Sequence, residues 1–171
     1  FTFADILLPT NKLAVKTIIE DTLDNVSIFN PPSTSCVSID ETAIEKWVAI
    51  TRRIMAIERG YEEDDKTLIR HVYDLNAINQ ANKINSNFGD HAKTVIASDG
   101  KQFKNQHPEY ASDPIQEINR SLSLLKNNLA WKVRYEEFIE VMVYDNNNPI
   151  PYDEAINSLN RFTVKILNGI S

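Results

Sequence analysis

Apolar residues recur at helical spacing through most of this 171-residue chain, and this pattern constrains the fold more than any other feature. Side chains three or four residues apart share one face of an α-helix, so each run predicts a helix with one buried side. The best-defined run follows Asp40, and its apolar face consists of Ile44, Trp47, Val48, Ile54 and Met55. The sequence therefore predicts a mainly α fold.

Further runs predict further helices. Leu68, Val72 and Leu75 mark one, residues 86–105 hold another, and Asp113-Pro114 has the cap and first-turn proline that open a third. Two more apolar stripes follow, the second of them expected to end at Gly169: Trp131, Tyr135, Phe138, Ile139 and Met142; then Ile156, Leu159, Thr163, Ile166 and Leu167. No repeat divides the chain, so residues 1–171 are predicted to form a single helical bundle-like domain.

The N-terminal part predicts one or two short strands. Residues 1–8 are expected to form the first, ended by Pro9, and Thr10 to cap a helix that continues to Val26. After the break at Pro31-Pro32, residues 36–39 are expected to form the second strand. Thr42 and Glu45 have the spacing of a capping box for the helix that follows, with Asp40 as a competing cap.

The composition excludes several classes of protein. Apolar residues make up 42% and charged residues 25%, which is typical of a globular protein, and no apolar run is long enough to span a membrane. A net charge of −6 argues against binding nucleic acid over the whole surface. The single cysteine, Cys36, excludes an internal disulfide, fits a reducing cytoplasm and is interpreted as a small buried apolar residue.

The start of the chain predicts a fragment of a longer protein. Phe1 is not an initiator methionine, and no basic segment precedes residues 1–8 as it would in a signal peptide. A processed mature terminus is the alternative.

Lys46 and Arg53 are the first candidate site residues. They lie seven residues apart on the same side of the predicted helix, so both side chains could enter one groove and bind an anion such as a phosphate. The alternative is a lysine at the edge of the core, paired with Glu45 or another neighbour.

Asp74 and His71 are the second pair of candidates. They share a stripe of the next predicted helix, where a carboxylate and an imidazole could orient a ligand or transfer a proton. The default interpretation for Asp74 is a local ion pair with Arg70, four residues earlier. His71 by itself is more often a structural hydrogen-bonding residue. The acidic run at residues 62–65 is interpreted as a solvated turn before this helix.

Other chemistry is largely missing from the sequence. The four glycines are scattered, the three histidines are not at zinc-ligand spacing, and there is no serine-nucleophile motif. One basic stretch could face RNA, although a solvated surface is the simpler interpretation: Lys93, Lys101, Phe103, Lys104 and His107.

Two segments together resemble the AbiEii/AbiGii toxin family of nucleotidyltransferases. The first runs Thr42-Ala43-Ile44-Glu45-Lys46-Trp47-Val48-Ala49-Ile50 and is followed by Arg52-Arg53. The second, after a charged linker, is Arg70-His71-Val72-Tyr73-Asp74-Leu75. The family shows an "EK…A" helix, basic residues and then "R(D/H)xYDL", of which this chain has the histidine variant. The looser similarity extends over most of the chain.

The resemblance implies a bacterial toxin of the type IV-like or abortive-infection toxin–antitoxin class. Such enzymes have a polymerase β-like fold and transfer a nucleotide from an NTP, with Mg²⁺, to an acceptor that in some members is tRNA. Carried over by position, Lys46 would bind the phosphates and Asp74 would act beside it as the second motif residue. Arg53, Arg70 and His71 would support them. The resemblance also implies an antitoxin partner.

One part of the family pattern has no match here. The family's metal site comes from a Gly-Ser segment and paired carboxylates on a strand, whereas Asp5 is isolated and Asp64-Asp65 lies in the acidic linker. Two-metal transfer needs such carboxylates to hold Mg²⁺. The expectation is therefore that this chain is the C-terminal, mainly helical half of such a protein, inactive by itself and without a metal ligand set.

Two further hypotheses stay open. The chain could be a helical binding or regulatory module for an antitoxin or another protein, which predicts an exposed apolar patch. It could also be an RNA-binding domain, which requires a continuous basic surface. The nucleotidyltransferase hypothesis instead predicts that Lys46 and Asp74 converge within side-chain reach on one concave surface.

Overall fold

In a computed structural model of the protein, residues 6–15, 22, 32–81, 88–143 and 149–170 are described. Two strands, β1 (Asn11–Ala14) and β2 (Ser33–Cys36), come first. The helices that follow are α1 (Ile39–Glu58), α2 (Arg70–Gln80), α3 (Phe88–Gln102), α4 (Pro108–Ser112), α5 (Pro114–Asn127), α6 (Leu129–Met142) and α7 (Tyr152–Ile170). The predicted mainly α fold, with a small sheet near the N-terminus, is confirmed.

The two strands form an antiparallel sheet in which Asn11 lies opposite Cys36 and Ala14 opposite Ser33. This pairing corrects the sequence prediction in two places. Asn11–Ala14 is a strand where Thr10 was expected to begin a helix, and the second strand lies three residues earlier than expected. Residues 6–8, the described part of the predicted first strand, are not in a strand, so that prediction is wrong there. Residues 1–5 and most of the predicted helix lie outside the described residues. Cys36 is half-buried rather than buried.

Helix α1 is the centre of the domain, and it packs against α2, α3 and α5. Its fully buried side chains include Ile44, Trp47, Ile50 and Ile54, as the apolar spacing predicts. The helix begins earlier than the predicted capping box, because the hydroxyl of Ser38 accepts a hydrogen bond from the backbone N–H of Glu41 (3.1 Å). Thr42 therefore lies inside the helix.

Helix α7 closes the other side of the core by packing against α2 and α3. The indole Nε1 of Trp47 in α1 donates to the hydroxyl of Thr163 in α7 (2.9 Å), so the two helices are joined by a buried hydrogen bond. Gly169 does not end α7 as predicted. It lies within the helix. Its backbone packs directly against that of Gly89 at the start of α3, and the space between the two helices has no room for a side chain at either position.

The predicted start of α5 is confirmed. The carboxylate of Asp113 accepts from the backbone N–H of Gln116 (3.0 Å), and Pro114 occupies the first turn. On the buried side of α5, Glu117 is only 1% exposed and is surrounded by Arg59, Arg120 and His107. Burial would raise the pKa of Glu117, but hydrogen bonds from Arg59 and Arg120 outweigh it and hold the pKa below the usual value.

Candidate active site

The two motif segments meet through an ion pair between α1 and α2. The ammonium Nζ of Lys46 lies 2.7 Å from Oδ2 of Asp74. The two side chains are 27% and 36% exposed, so the pair is bounded by protein on one side and open to solvent on the other. A ligand can therefore reach the pair without any change in the fold.

Local sequence places the two side chains at this edge. Ile44 and Trp47 point from α1 into the core, as do Val72 and Leu75 from α2, which leaves Lys46 and Asp74 at the boundary where the helices meet. Asp74 binds Lys46 across the helix interface. The default interpretation of a local pair with Arg70 is therefore wrong, and Lys46 is not paired with Glu45.

His71 lies one turn before Asp74 and is half-buried. Burial, with the charges of Lys46 and Arg70 as further causes, lowers the pKa of His71 to about 4, although Asp74 acts in the opposite direction. The ring is therefore neutral at physiological pH. Its Nδ1 atom is buried and forms no hydrogen bond with the part of the chain that the structure describes.

Arg70 and Arg53 differ in whether their guanidinium groups are already ion-paired. Arg70 is exposed, and its guanidinium forms no ion pair with any of the described residues. Arg53 is 29% exposed and is already paired, with Glu62 (2.9 Å) and with Asp65 (3.1 Å). Arg70 can therefore offer all its donors to a ligand, whereas Arg53 supports the site from a fixed position.

The acidic turn at residues 62–65 is only partly the solvated segment that the sequence suggested, since Glu63 and Asp64 are exposed whereas Glu62 and Asp65 are half-buried. Glu62 binds both Arg52 (2.8 Å) and Arg53, and Asp64 binds Arg134 in α6 (2.8 Å). Asp65 also accepts from the backbone N–H of Thr67 and so caps the short 3₁₀ helix at Lys66–Ile69. These contacts fix the connection between α1 and α2, and with it the approach of Lys46 to Asp74.

Glu41 is a residue that the sequence interpretation missed. Its carboxylate is 1% exposed and accepts the backbone N–H groups of Leu7 (2.7 Å) and Leu8 (3.1 Å). The segment at residues 6–15 is thereby held against the first turn of α1, slightly more than one turn before Lys46. Acidic residues are common in the first turn of a helix, so the sequence does not indicate that Glu41 has this additional role.

The basic stretch for which RNA contact was the alternative interpretation does not form one continuous surface. His107 is 0% exposed, and the guanidinium of Arg52 lies 3.8 Å above the ring of Phe103. Lys93, Lys101 and Lys104 are exposed. The favoured interpretation of these lysines as a solvated surface therefore fits the structure, and the RNA-facing alternative loses the ring of His107.

Comparison with protein families decides the class of the chain. A family model described as "Nucleotidyl transferase AbiEii toxin, Type IV TA system" matches residues 1–158. The chain belongs to this family. Searches of curated proteins and of solved structures find no match to it.

Membership of the AbiEii family places this chain among the toxins of type IV toxin–antitoxin systems. The matched region contains both motif segments, and the geometry above shows that they converge on one surface. Within the described ranges, no group of three or more histidine, cysteine or acidic side chains could hold a metal ion. Within the same ranges, no helix has the length and hydropathy needed to cross a bilayer.

Proposed function

We propose that this AbiEii-family chain forms the nucleotide-binding part of a nucleotidyltransferase, and that Lys46 binds the phosphates of an NTP. The observation that carries the proposal is the 2.7 Å contact between Lys46 and Asp74, which joins the two motif segments at a solvent-accessible edge. The polymerase β-like fold that the resemblance implies belongs to the same proposal.

Lys46 is suited to a phosphate because an ammonium group has three donors and Asp74 accepts only one of them. The other two can reach phosphate oxygens from a position that Asp74 fixes. Asp74 is therefore a positioning residue: it acts on the nucleotide through Lys46.

Arg70, His71 and Arg53 have supporting roles in this proposal. The unpaired guanidinium of Arg70 supplies a second cation for phosphate oxygens. Neutral His71 can donate or accept a hydrogen bond at the ligand without adding charge. Arg53, held by Glu62 and Asp65, supports the site by fixing the connection between the two motif helices rather than by its charge.

The described residues do not provide a site for the Mg²⁺ that nucleotidyl transfer in this family implies. Asp74 is the only carboxylate in the Lys46 pair, and its Oδ2 is bound to the ammonium. We therefore propose that the carboxylates that bind the metal ion lie outside the described residues. By itself the chain would then bind a nucleotide without transferring it.

The proposed partners follow from the family. The nucleotide donor is an NTP, the acceptor is an RNA such as tRNA, and the toxin is countered by an antitoxin in the cytoplasm. A second candidate function, a non-catalytic binding module, is favoured by one observation: the outer side of α6 exposes Leu129 (69%) and Val141 (76%). Such apolar exposure is typical of a protein-binding surface.

The direct test is transfer of label from an NTP to RNA by the protein that carries this chain. Lys46→Ala and Asp74→Ala should reduce labelling by about 10²-fold or more, the scale at which losing one charged transition-state contact acts. Lys126→Ala, an exposed lysine at the end of α5, is the matched control and should keep normal labelling. Labelling that survives Lys46→Ala would contradict the proposal.

A further inference from the structure

A groove lies between α3 and the helices that follow it, far along the chain from the Lys46 pair. It encloses about 510 Å³. Small or aliphatic side chains form its floor and lysines form its rim; they include Lys93, Ala97, Lys101, Lys104, Ala111 and Ile115. We call it the lysine groove. An apolar floor with a charged rim is suited to an amphipathic ligand rather than to a simple anion.

The charge of the lysine groove is unbalanced. Lys101 and Lys104 are exposed and form no ion pair with the described residues, whereas Lys93 forms a long ion pair with Asp90, at 3.8 Å. No carboxylate lies among the lining residues. The whole chain carries a net charge of −6, so this local excess of positive charge would attract a negatively charged surface.

The partner is not single-stranded RNA on chemical grounds. Binding of that kind stacks bases on exposed aromatic rings. Tyr110 lines the groove but is 0% exposed, and Phe103, which does not line the groove, has one face of its ring covered by the guanidinium of Arg52. An aliphatic floor instead accepts aliphatic side chains, so the groove suits an acidic amphipathic helix.

The chain itself presents such a helix. On the outer side of α6, Leu129 is 69% exposed, Val133 45% and Val141 76%. With about 100° between successive residues, these three share one face with three exposed acids, Glu136, Glu137 and Glu140. We call this surface the acidic face. None of the three glutamates forms an ion pair with a described residue.

We propose that the acidic face of one molecule docks in the lysine groove of a second copy of this chain. Leu129 and Val133 lie against the apolar floor, and the glutamates meet Lys101 and Lys104. The two surfaces belong to different elements, so the contact is head to tail and leaves a free groove and a free face at the ends. Growth then continues until a ring closes or a filament forms.

The proposed contact is small and strongly charged, and these two properties determine its affinity and its dependence on salt. A single groove and one helix face lie at the low end of interface sizes, so association is expected only at about 10–100 µM protein. Because charge pairs contribute much of it, raising the salt to about 1 M should weaken it.

Sedimentation velocity on the 171-residue chain at about 100 µM tests the proposal. The weight-average mass should exceed that of a monomer by about 1.5-fold or more at low salt and fall toward the monomer at high salt. Lys101→Glu/Lys104→Glu and Glu136→Lys/Glu140→Lys should each stay monomeric, since each puts like charges on both surfaces. Lys126→Glu, outside the groove, should associate as the unaltered chain does.

The decisive arm mixes the two charge-reversed variants in equal amounts. The mixture pairs an acidic face with an intact lysine groove, so the higher mass should return. A chain that is monomeric at every concentration, or variants that associate normally, would overturn the proposal. So would a monomeric chain whose Lys101→Glu/Lys104→Glu variant loses binding to single-stranded RNA, because the groove would then serve nucleic acid. Thermal melts of each variant verify that it is folded.

Discussion

Gly89 at the start of α3 and Gly169 near the end of α7 are in direct backbone contact. A Cβ atom placed on Gly89 would lie 2.6 Å from the Cα of Gly169, and one placed on Gly169 would lie 2.9 Å from the Cα of Gly89. Both distances are shorter than carbon atoms tolerate, so the crossing of α3 and α7 depends on two glycines.

Gly89→Ala should therefore destabilise the protein. The helix backbones must move apart, and overpacking of this kind costs about 1–3 kcal/mol. For a domain of this size that corresponds to a fall in melting temperature of about 2–10 °C, measurable by calorimetry.

Gly100→Ala is the matched control in the same helix. Its Cβ would meet no heavy atom closer than 3.8 Å, and alanine is the better helix former by about 1 kcal/mol. The melting temperature should stay the same or rise. Equal melting temperatures for the two alanine variants would contradict the close contact between α3 and α7.

The buried hydrogen bond from Trp47 to Thr163 gives a second stability prediction. Thr163→Val keeps the shape of the side chain but removes the acceptor, which leaves the fully buried indole N–H without a partner. Urea unfolding should show a loss of about 1–3 kcal/mol. Thr163→Ser keeps the hydroxyl and loses one methyl group, so it should be the more stable of the two, and the reverse order would count against the bond.

The pKa of His71 makes a prediction about pH. The pKa of His71 in the folded state is about 4, below the usual 6.5. Between these two pH values the unfolded chain therefore binds a proton at His71 and the folded chain does not. The contribution of His71 to stability is therefore complete above pH 6.5 and is lost as the pH falls toward 4. His107, whose pKa burial also lowers, adds to the same trend.

Unfolding in urea at pH 7.5 and pH 5.0 measures this dependence. His71→Gln should lose less stability between the two pH values than the unaltered chain does. An NMR titration gives the assignment, since the His71 ring signal should titrate near pH 4 and move to higher pH when phosphate binds beside it. A His71 titration near 6.5 would contradict the burial and the neighbouring cations.

Glu41 should control the order of the N-terminal segment and leave the helical core intact. Glu41→Ala removes the acceptor for the backbone N–H groups of Leu7 and Leu8. Hydrogen exchange at those two amides, and proteolysis within residues 6–15, should both become faster. Glu45→Ala, an exposed neighbour one turn later, is the control and should change neither rate.

The sequence could predict the helices because apolar periodicity reports which face is buried. Ile44, Trp47 and Val48 in α1 and Leu68, Val72 and Leu75 before and within α2 all lie in the core as the spacing indicates. Helix ends were less predictable. Ser38, rather than Thr42, caps α1, because a cap depends on the backbone path into the helix, and spacing does not contain that information.

The candidate site likewise has features that the sequence could predict and features that it could not. The two motif segments pointed to Lys46 and Asp74, but their direct contact depends on how α1 and α2 pack, which the sequence does not state. The roles of Arg53 and of the acidic turn could not be predicted, because the ion pairs of Arg53 join residues nine and twelve apart across a bend and that of Asp64 reaches Arg134 in a distant helix. Likewise, the burial of His107 results from packing against Glu117 and Tyr110.

The central claim, that Lys46 holds the nucleotide with help from Asp74, is tested most directly by measuring NTP binding to the 171-residue chain by calorimetry. Lys46→Ala should weaken binding by about 10-fold or more, the loss of one charge-assisted contact, and Asp74→Asn should weaken it less. In the Lys46→Ala background, Asp74→Asn should have no further effect, since Asp74 acts through the ammonium. Lys126→Ala should bind as the unaltered chain does. Equal affinity in the unaltered chain and in Lys46→Ala would contradict the account.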